Sequence, residues 1–384
     1  MCNASVDEIN GCERRWITMA YRILAINPGA TSTKIAVYED HKSILSKSIA
    51  HDSQRIDGFE TVEEQANYRK HIIQGVLDDA KFDMNTLHII MCRGALITAP
   101  KLTTGGYEVN DALYEALGDE RITQRHASQL GGLIGKQFAD KLGLKAYIYD
   151  AVTAGDLMPV AEITGFADVV RRSMCHVLNA RAMALKYAKR IDVPLENLRL
   201  IVAHLGSGCT VAVFKDGKIV ESAADDDGPF SPERAGGLPS LQLIDVCFSG
   251  KYTKTEMQKM VRGKGGLYAH LGTSDCQEIE RRIEKGDERA KLIFQAQAYQ
   301  IEKAIGLNSV ALKGHVDAII LTGGVAFSRM MTDMIREYVR FIAPVIVMPG
   351  ENELESLALG GLRILRGEEG TKEYHWPQEF EHQK

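Results

Sequence analysis

The chain has 384 residues and a formal charge of −5. That length exceeds what one hydrophobic core fills, so two domains are expected, and the weak negative charge supplies no general field for nucleic acid or anionic lipid. Seven cysteines without a CxxC pair argue against a disulfide framework, and no apolar run nears the ~20 residues of a membrane-spanning helix.

Residues 1–18 show neither helical nor strand periodicity and read as a flexible extension, with Met19 as an alternative start. The first twenty residues lack the apolar core of a signal peptide, which makes the cytoplasm the expected compartment. Residues 23–26 and 35–38 are rich in β-branched and aromatic side chains and predict the two strands of a hairpin. The turn between them, NPGATSTK, has Gly29, the hydroxyls of Thr31, Ser32 and Thr33, and the cation Lys34. Successive N–H groups in such a turn can form an anion-binding nest, although Ser and Thr can equally satisfy their own backbone. It is not a Walker A loop, because a strand and not a helix follows. A third strand over 43–50 and an amphipathic helix over 62–82 come next.

An apolar strand over 87–92 delivers Arg93 to its tip, where ligands of α/β sheets gather. A loop over 98–107 and a helix over 126–142 precede the strand 146–149, which ends in Asp150. An acid there can hold Mg²⁺ or orient a nucleophile, and can also be an ordinary turn residue. Residues 162–172 are polar and irregular, and His176 leads a helix over 177–190.

Residues 200–213, LIVAHLGSGCTVAV, repeat the plan of the first hairpin, aligning Asn27 with His204, Gly29 with Gly206 and Thr33 with Thr210. A third Gly turn, with Gly323 and Gly324, follows an apolar strand in residues 318–328. Such internal similarity suggests a duplicated fold holding a ligand between its halves. Asp216-Gly217 marks a tight turn into another strand. The stretch 225–237, DDDGPFSPERAGG, sets Arg234 among four acids and reads locally as a solvated surface loop or a mobile lid. Helices are predicted over 241–248, 254–261, 277–285, 287–312 and 327–341, then a strand over 345–348. The acidic loop GENELE carries Glu351, Glu353 and Glu355; a helix over 356–366 follows, and 371–384 reads as a frayed polar tail.

From about residue 21 to 370 the chain resembles the acetate/butyrate kinase family of the actin-like ATPase superfamily, most closely its butyrate kinases. The strings INPGATSTK, EVNDAL, HASQLG, AHLGSG, GPFSPERAGGLP, FSGKYT, GGLYAHLGTSD, LKGHVDAIILTGG, FIAPV and LRGEE carry the resemblance. It implies an α/β, duplicated actin-like (ribonuclease H-like) fold of two domains with a nucleotide cleft between them. The first domain would take 21–151 with 355–384, and the second 152–354. The implied reaction is reversible transfer of the γ-phosphoryl of ATP to butanoate or a branched short-chain acid, with ATP/ADP and Mg²⁺ in the cleft and a homodimer or higher homo-oligomer as the assembly. An actin- or Hsp70-like nucleotide switch is the rival reading, and a sugar kinase a weaker one.

Carried over by motif, Asn27, Thr31, Thr33 and Lys34 would form the first phosphate loop and His204, Gly206 and Gly208 the second, with Gly323 and Gly324 against the adenosine. Arg93 and Arg234 would flank the acid and the transferring phosphoryl, Asp150 would orient the carboxylate or a metal-bound water, and His176 would stabilise transition-state charge. Glu353, with Glu355 as its competitor, would contact Mg²⁺ through water. The chain departs from the usual family strings at CRGALI (92–97), DAVTAGD (150–156), HLGSG (204–208) and ADDDGPF (224–230), which alters the expected acyl pocket.

Overall fold

The computed structural model of the chain describes residues 20–378, apart from residue 125 and the side chain of residue 57. The expected extension over 1–18, Met19 and residues 379–384 lie outside the described residues. β1 (Arg22–Pro28), β2 (Ser32–Glu39) and β3 (Lys42–Ala50) form an antiparallel meander. All of β1 beyond Arg22 is buried, so it reads as a nearly continuous apolar run, whereas β3 lies at the sheet edge and carries lysines and serines. Helix Val62–Asp79, its start fixed by a capping box between Thr61 and Glu64, crosses over to β4 (Ile89–Arg93), which pairs parallel with β1. Helix Gln129–Leu142 then leads to β6 (Ala146–Tyr149), parallel to β4.

The core order is therefore β3-β2-β1-β4-β6. β5 (Gly106–Glu108), within a stretch expected to be loop, extends the sheet antiparallel to β6, and β12 (Thr371–Lys372) pairs with β5. The second sheet repeats the plan. β7 (Leu200–Leu205), β8 (Cys209–Lys215) and β9 (Lys218–Ala223) form a meander, and β10 (Ala318–Thr322) and β11 (Val345–Val347) join in parallel, giving β9-β8-β7-β10-β11. The duplication expected from the two glycine hairpins is thus present in order and direction. At the β8–β9 turn Asp216 and Gly217 both have positive φ, 53° and 73°, as a tight Asp-Gly turn requires.

Two helices lie between the sheets. Helix Val177–Arg190 buries Ala180, Ala184 and Ala188 in a core shared with Val202, Ala212 and Ile320. Helix Glu353–Leu365 returns to the first sheet, where Leu357, Ala358 and Leu362 pack on Ile23, Ala25 and Met91. A Cβ at Gly360 would stand 2.7 Å from the Tyr149 ring, and one at Gly361 2.7 Å from Met91, so this close approach depends on both glycines.

Two expectations are corrected. Glu353 and Glu355 belong to the first turn of this last helix and not to a loop, because Asn352 caps it through the Glu355 N–H. Residues 371–378 are not a frayed tail: beyond β12, Tyr374 is buried and donates its hydroxyl proton to the Ala99 carbonyl at 2.8 Å, while Asn110 donates to the Tyr374 carbonyl at 3.0 Å.

Candidate active site

The candidate residues sit at the carboxyl ends of parallel strands in both sheets, facing the space between them. In the first sheet the turn after β1 closes through a Gly29 N–H to Ser32 carbonyl bond of 2.7 Å. Beneath it lies Arg69, fully buried on helix Val62–Asp79. Its guanidinium donates to the carbonyls of Gly29 (2.7 Å), Ser32 (3.0 Å) and Ala30 (2.8 Å) and to the Thr33 hydroxyl (3.1 Å). The Thr33 hydroxyl also meets His51 at 2.8 Å, so this side chain is engaged beneath the loop, whereas Thr31 and Lys34 are exposed above it. With the carbonyls drawn down to Arg69, the loop is held in one shape.

The second and third turns are fitted by glycine. A Cβ at Gly206 would lie 2.8 Å from the His204 ring, and one at Gly208 only 2.3 Å from the Arg234 guanidinium. Gly323 has φ of 90°, and a Cβ there would stand 2.3 Å from the Leu205 carbonyl, while Gly324 faces open space. Paired backbone bonds between Gly323 and Gly350 tie the third turn to the acidic segment.

These strand ends surround a cleft of about 150 Å³ that brings together Arg93, Asp150, His176, Arg234, Glu351 and Glu353. Glu353 accepts a hydrogen bond from Asn27 and pairs with Arg93, whose Nη1 lies 3.2 Å from one carboxylate oxygen. Glu355 lines a different cavity, behind Asp150. Arg93 and Asp150 are brought close because a Cβ at Gly94 would be 2.4 Å from Ala151, so the tips of β4 and β6 abut.

Asp150 is 4% exposed and holds a positive φ of 46°. It accepts from the Gly105 N–H at 2.8 Å and from Arg181 at 3.3 Å on each oxygen. Burial pushes its pKa up, and the Arg181 charge opposes that rise. His204 is pushed down to about 3 by burial and then by Arg234 and Arg93. As the Asn179 amide is placed, it donates to His204 Nδ1 at 2.7 Å, leaving the imidazole proton on Nε2, which faces Glu351 at 3.7 Å. His176 is held well below its usual range, by burial first and then by His204, and its Nδ1 meets the Thr210 hydroxyl at 3.0 Å.

The stretch 225–237 is not a solvated loop. Asp225, Phe230 and Ser231 are buried, and the Asp225 carboxylate is gripped by Arg234 on one oxygen and by Arg262, at 2.7 Å, on the other. The Ser231 hydroxyl accepts the Arg234 N–H at 3.0 Å and donates to the Ser207 carbonyl, which fastens the loop to the second glycine turn. Arg234 is thus a placed side chain at the cleft wall.

A sequence profile of the acetokinase family matches residues 162–342. The chain is 43% identical to butyrate kinase 1 of Clostridium acetobutylicum over 356 residues, covering 92% of this chain and 99% of that protein. The chain belongs to the acetokinase family. Probable butyrate kinase 2 of Caldanaerobacter subterraneus is 44% identical, with the same shares covered. The fold is that of the acetokinases. The acetate kinase of Porphyromonas gingivalis superposes with a TM-score of 0.74 at 19% identity, covering 90% of this chain and 100% of that one, and a propionate kinase of Francisella tularensis with 0.70 at 17%, covering 88% and 98%. The duplicated actin-like architecture read from the motifs is therefore established.

Within this acetokinase site several residues escaped the sequence reading. Arg262 and Asp225 complete the charge cluster and Arg69 braces the first turn, while His126, which at the start of its predicted helix reads as structural, lines the cleft. Only Arg69 left a trace: it occupies the apolar stripe of its helix with Ala66, Ile73 and Leu77, where a charge demands an explanation. The cleft suits a polyphosphate, with Arg93, Arg234 and Arg262 on its walls and fitted glycine turns at its rim. Among the described residues no group of three or more His, Cys, Asp or Glu is disposed to hold a metal ion, so a Mg²⁺ here would draw most of its ligands from phosphate and water.

Proposed function

We propose that the chain is an ATP-dependent short-chain carboxylate kinase, reversibly converting butanoate or a branched acid of similar size to its acyl phosphate. Membership of a family whose cited relatives are butyrate kinases supports this, and the observation that carries it is the convergence of Arg93, Arg234 and His176 on one small cleft. A nucleotide switch has no use for an acid-binding cluster opposite its phosphate loops.

Phosphoryl transfer asks the protein for alignment and charge neutralisation more than for covalent chemistry. In this reading Thr31, Lys34 and the backbone of the first turn, with Gly206 and Gly208 of the second, cradle the phosphates, and Gly323 and Gly324 leave room for the adenosine. Thr33 supports the first turn from below. Arg93 grips the acid and Arg234 the transferring phosphoryl. His176, neutral and with Nδ1 turned to Thr210, offers its other ring nitrogen to the developing charge, and Asp150 orients the acid. The apolar tail rests against Leu96, Val152 and Met174, which line the cleft. Glu353, steadied by Asn27 and with Glu351 beside it, would hold through water a Mg²⁺, which would supply neutralisation of phosphate charge. We assign 21–151 with 355–384 to one domain and 152–354 to the other, place the protein in the cytoplasm, and read the exposed Leu241, Ile244 and Phe248 as part of a homo-oligomer surface.

A hydroxamate-trapping assay with acids from formate to hexanoate tests the reading. Acyl phosphate should form only with ATP and Mg²⁺ and vanish in excess EDTA. Butanoate should exceed acetate in kcat/KM by about tenfold, since two buried methylenes contribute ~1.6 kcal/mol. ATP hydrolysis without trapped hydroxamate for any acid would favour the switch.

A further inference from the structure

Behind Asp150 lies a polar network that nothing in the phosphoryl-transfer reading uses. Arg181, on the helix that follows His176, contacts both Asp150 oxygens at 3.3 Å, the Tyr149 hydroxyl at 2.6 Å and Glu369 at 3.0 Å. Glu369, in the segment just before β12, also accepts from the Tyr149 hydroxyl at 2.6 Å and from Arg363 at 3.0 Å. Arg363 in turn donates to the Tyr149 hydroxyl. Four of the five residues, Tyr149, Asp150, Arg363 and Glu369, belong to the first sheet or to chain packed on it. Arg181 alone comes from the helix that covers the second.

The cleft has a second cavity at its back. Asp150 lines both the cleft and a space of about 420 Å³ between the two central helices. A carboxylate on a left-handed backbone, with free volume on both sides, has nothing in its own rotamers to keep it turned toward the cleft. The Gly105 N–H holds one oxygen at 2.8 Å, and Arg181 Nη1, 3.3 Å from each oxygen, spans both and removes the remaining freedom. The guanidinium is itself fixed from behind, because Nη1 also reaches the Tyr149 hydroxyl and Nη2 donates to Glu369.

We propose that Arg181 is a positioning residue that holds Asp150 toward the acid-binding cleft, and that Glu369 with Arg363 is the anchor for Arg181. This rests on the role given to Asp150 above. The consequence is that the last part of the chain, through Glu369, belongs to the catalytic apparatus although it touches no substrate. The contact also crosses between the two halves.

The experiment is a double-mutant cycle on the full-length protein, with Asp150→Asn, Arg181→Lys and the pair combined. Lys can face Asp150 but cannot span Asp150, Tyr149 and Glu369 together. Arg181→Lys should therefore lower kcat on the order of 10²-fold, the effect of a misplaced group, with little change in KM for ATP. In the Asp150→Asn background the same change should cost less than about threefold, because the group it positions is already gone. Glu369→Gln, which keeps shape and removes charge, should give a smaller kcat loss of the same kind and serves if Arg181→Lys folds poorly. Trp376 fluorescence and the melting temperature report whether the C-terminal segment stays docked. Additive losses in the cycle, or a kcat loss that merely tracks undocking of Trp376, would overturn the positioning role. Full kcat in Asp150→Asn would instead overturn the reading of Asp150 itself.

Discussion

The imidazole rings of His176 and His204 are stacked, with centroids 3.9 Å apart and planes 13° from parallel. Two imidazolium ions cannot share that contact with Arg234 and Arg93 nearby, and burial already disfavours the charged form of each. Both environments therefore favour the neutral ring.

Acid sensitivity follows from this. His204 is pushed to about 3, and His51, buried under the first turn, to about 4, against ~6.5 when unfolded. Between those values the unfolded chain binds protons that the native protein does not, so this stability is complete above pH ~6.5 and is lost as pH falls toward the native pKa values. The melting temperature should fall from pH 7 to pH 5. His51→Gln, which keeps a partner for Thr33 without titrating, should flatten that fall; an unchanged slope would remove His51 from the account.

Arg234 tests the phosphoryl clamp. Its contact strengthens as charge develops on the transferring group, so Arg234→Ala should lower kcat by ~10³-fold while changing KM for ATP little. Arg234→Lys should rescue poorly, because Asp225 and the phosphoryl together need a planar fork. Should Arg234→Ala keep more than about a tenth of kcat, a loss of only ~1.4 kcal/mol, the side chain serves the Asp225 pair alone.

Arg69 is expected to matter for stability and nucleotide together. Arg69→Met would take the donor from the Gly29 and Ala30 carbonyls, while Ser32 keeps the Gly29 N–H and Thr33 keeps His51, costing about 2 kcal/mol or more at ~1–3 kcal/mol per unmet group. The urea midpoint should drop, and KM for ATP should rise as the turn loses its shape. Normal values for both would mean that the turn holds itself.

Local pattern carried much of this architecture. Both glycine hairpins, the strand over 146–149 and the helix over 177–190 appear where periodicity and turn chemistry put them, because each is specified by neighbours a few residues apart. The residues that position the site were less legible, since their partners are distant in sequence. Asp225 finds Arg262 across 37 residues, His204 finds Asn179 across 25, and Tyr149 finds Arg363 across 214. The segment after residue 370 misled for the same reason: a two-residue strand and one buried tyrosine have no period, and only the sheet edge at β5 and the Ala99 carbonyl make them ordered.

The return of helix Glu353–Leu365 to the first sheet sets a timetable for biosynthesis. Ile23, Ala25 and Met91 leave the ribosome early, yet the side chains that cover them, Leu357, Ala358 and Leu362, are made last. Through most of translation the first sheet presents an open apolar face, while Val202 and Ala212 of the second follow directly on the helix that covers them. The nascent chain therefore carries a standing invitation to aggregate until its final helix emerges.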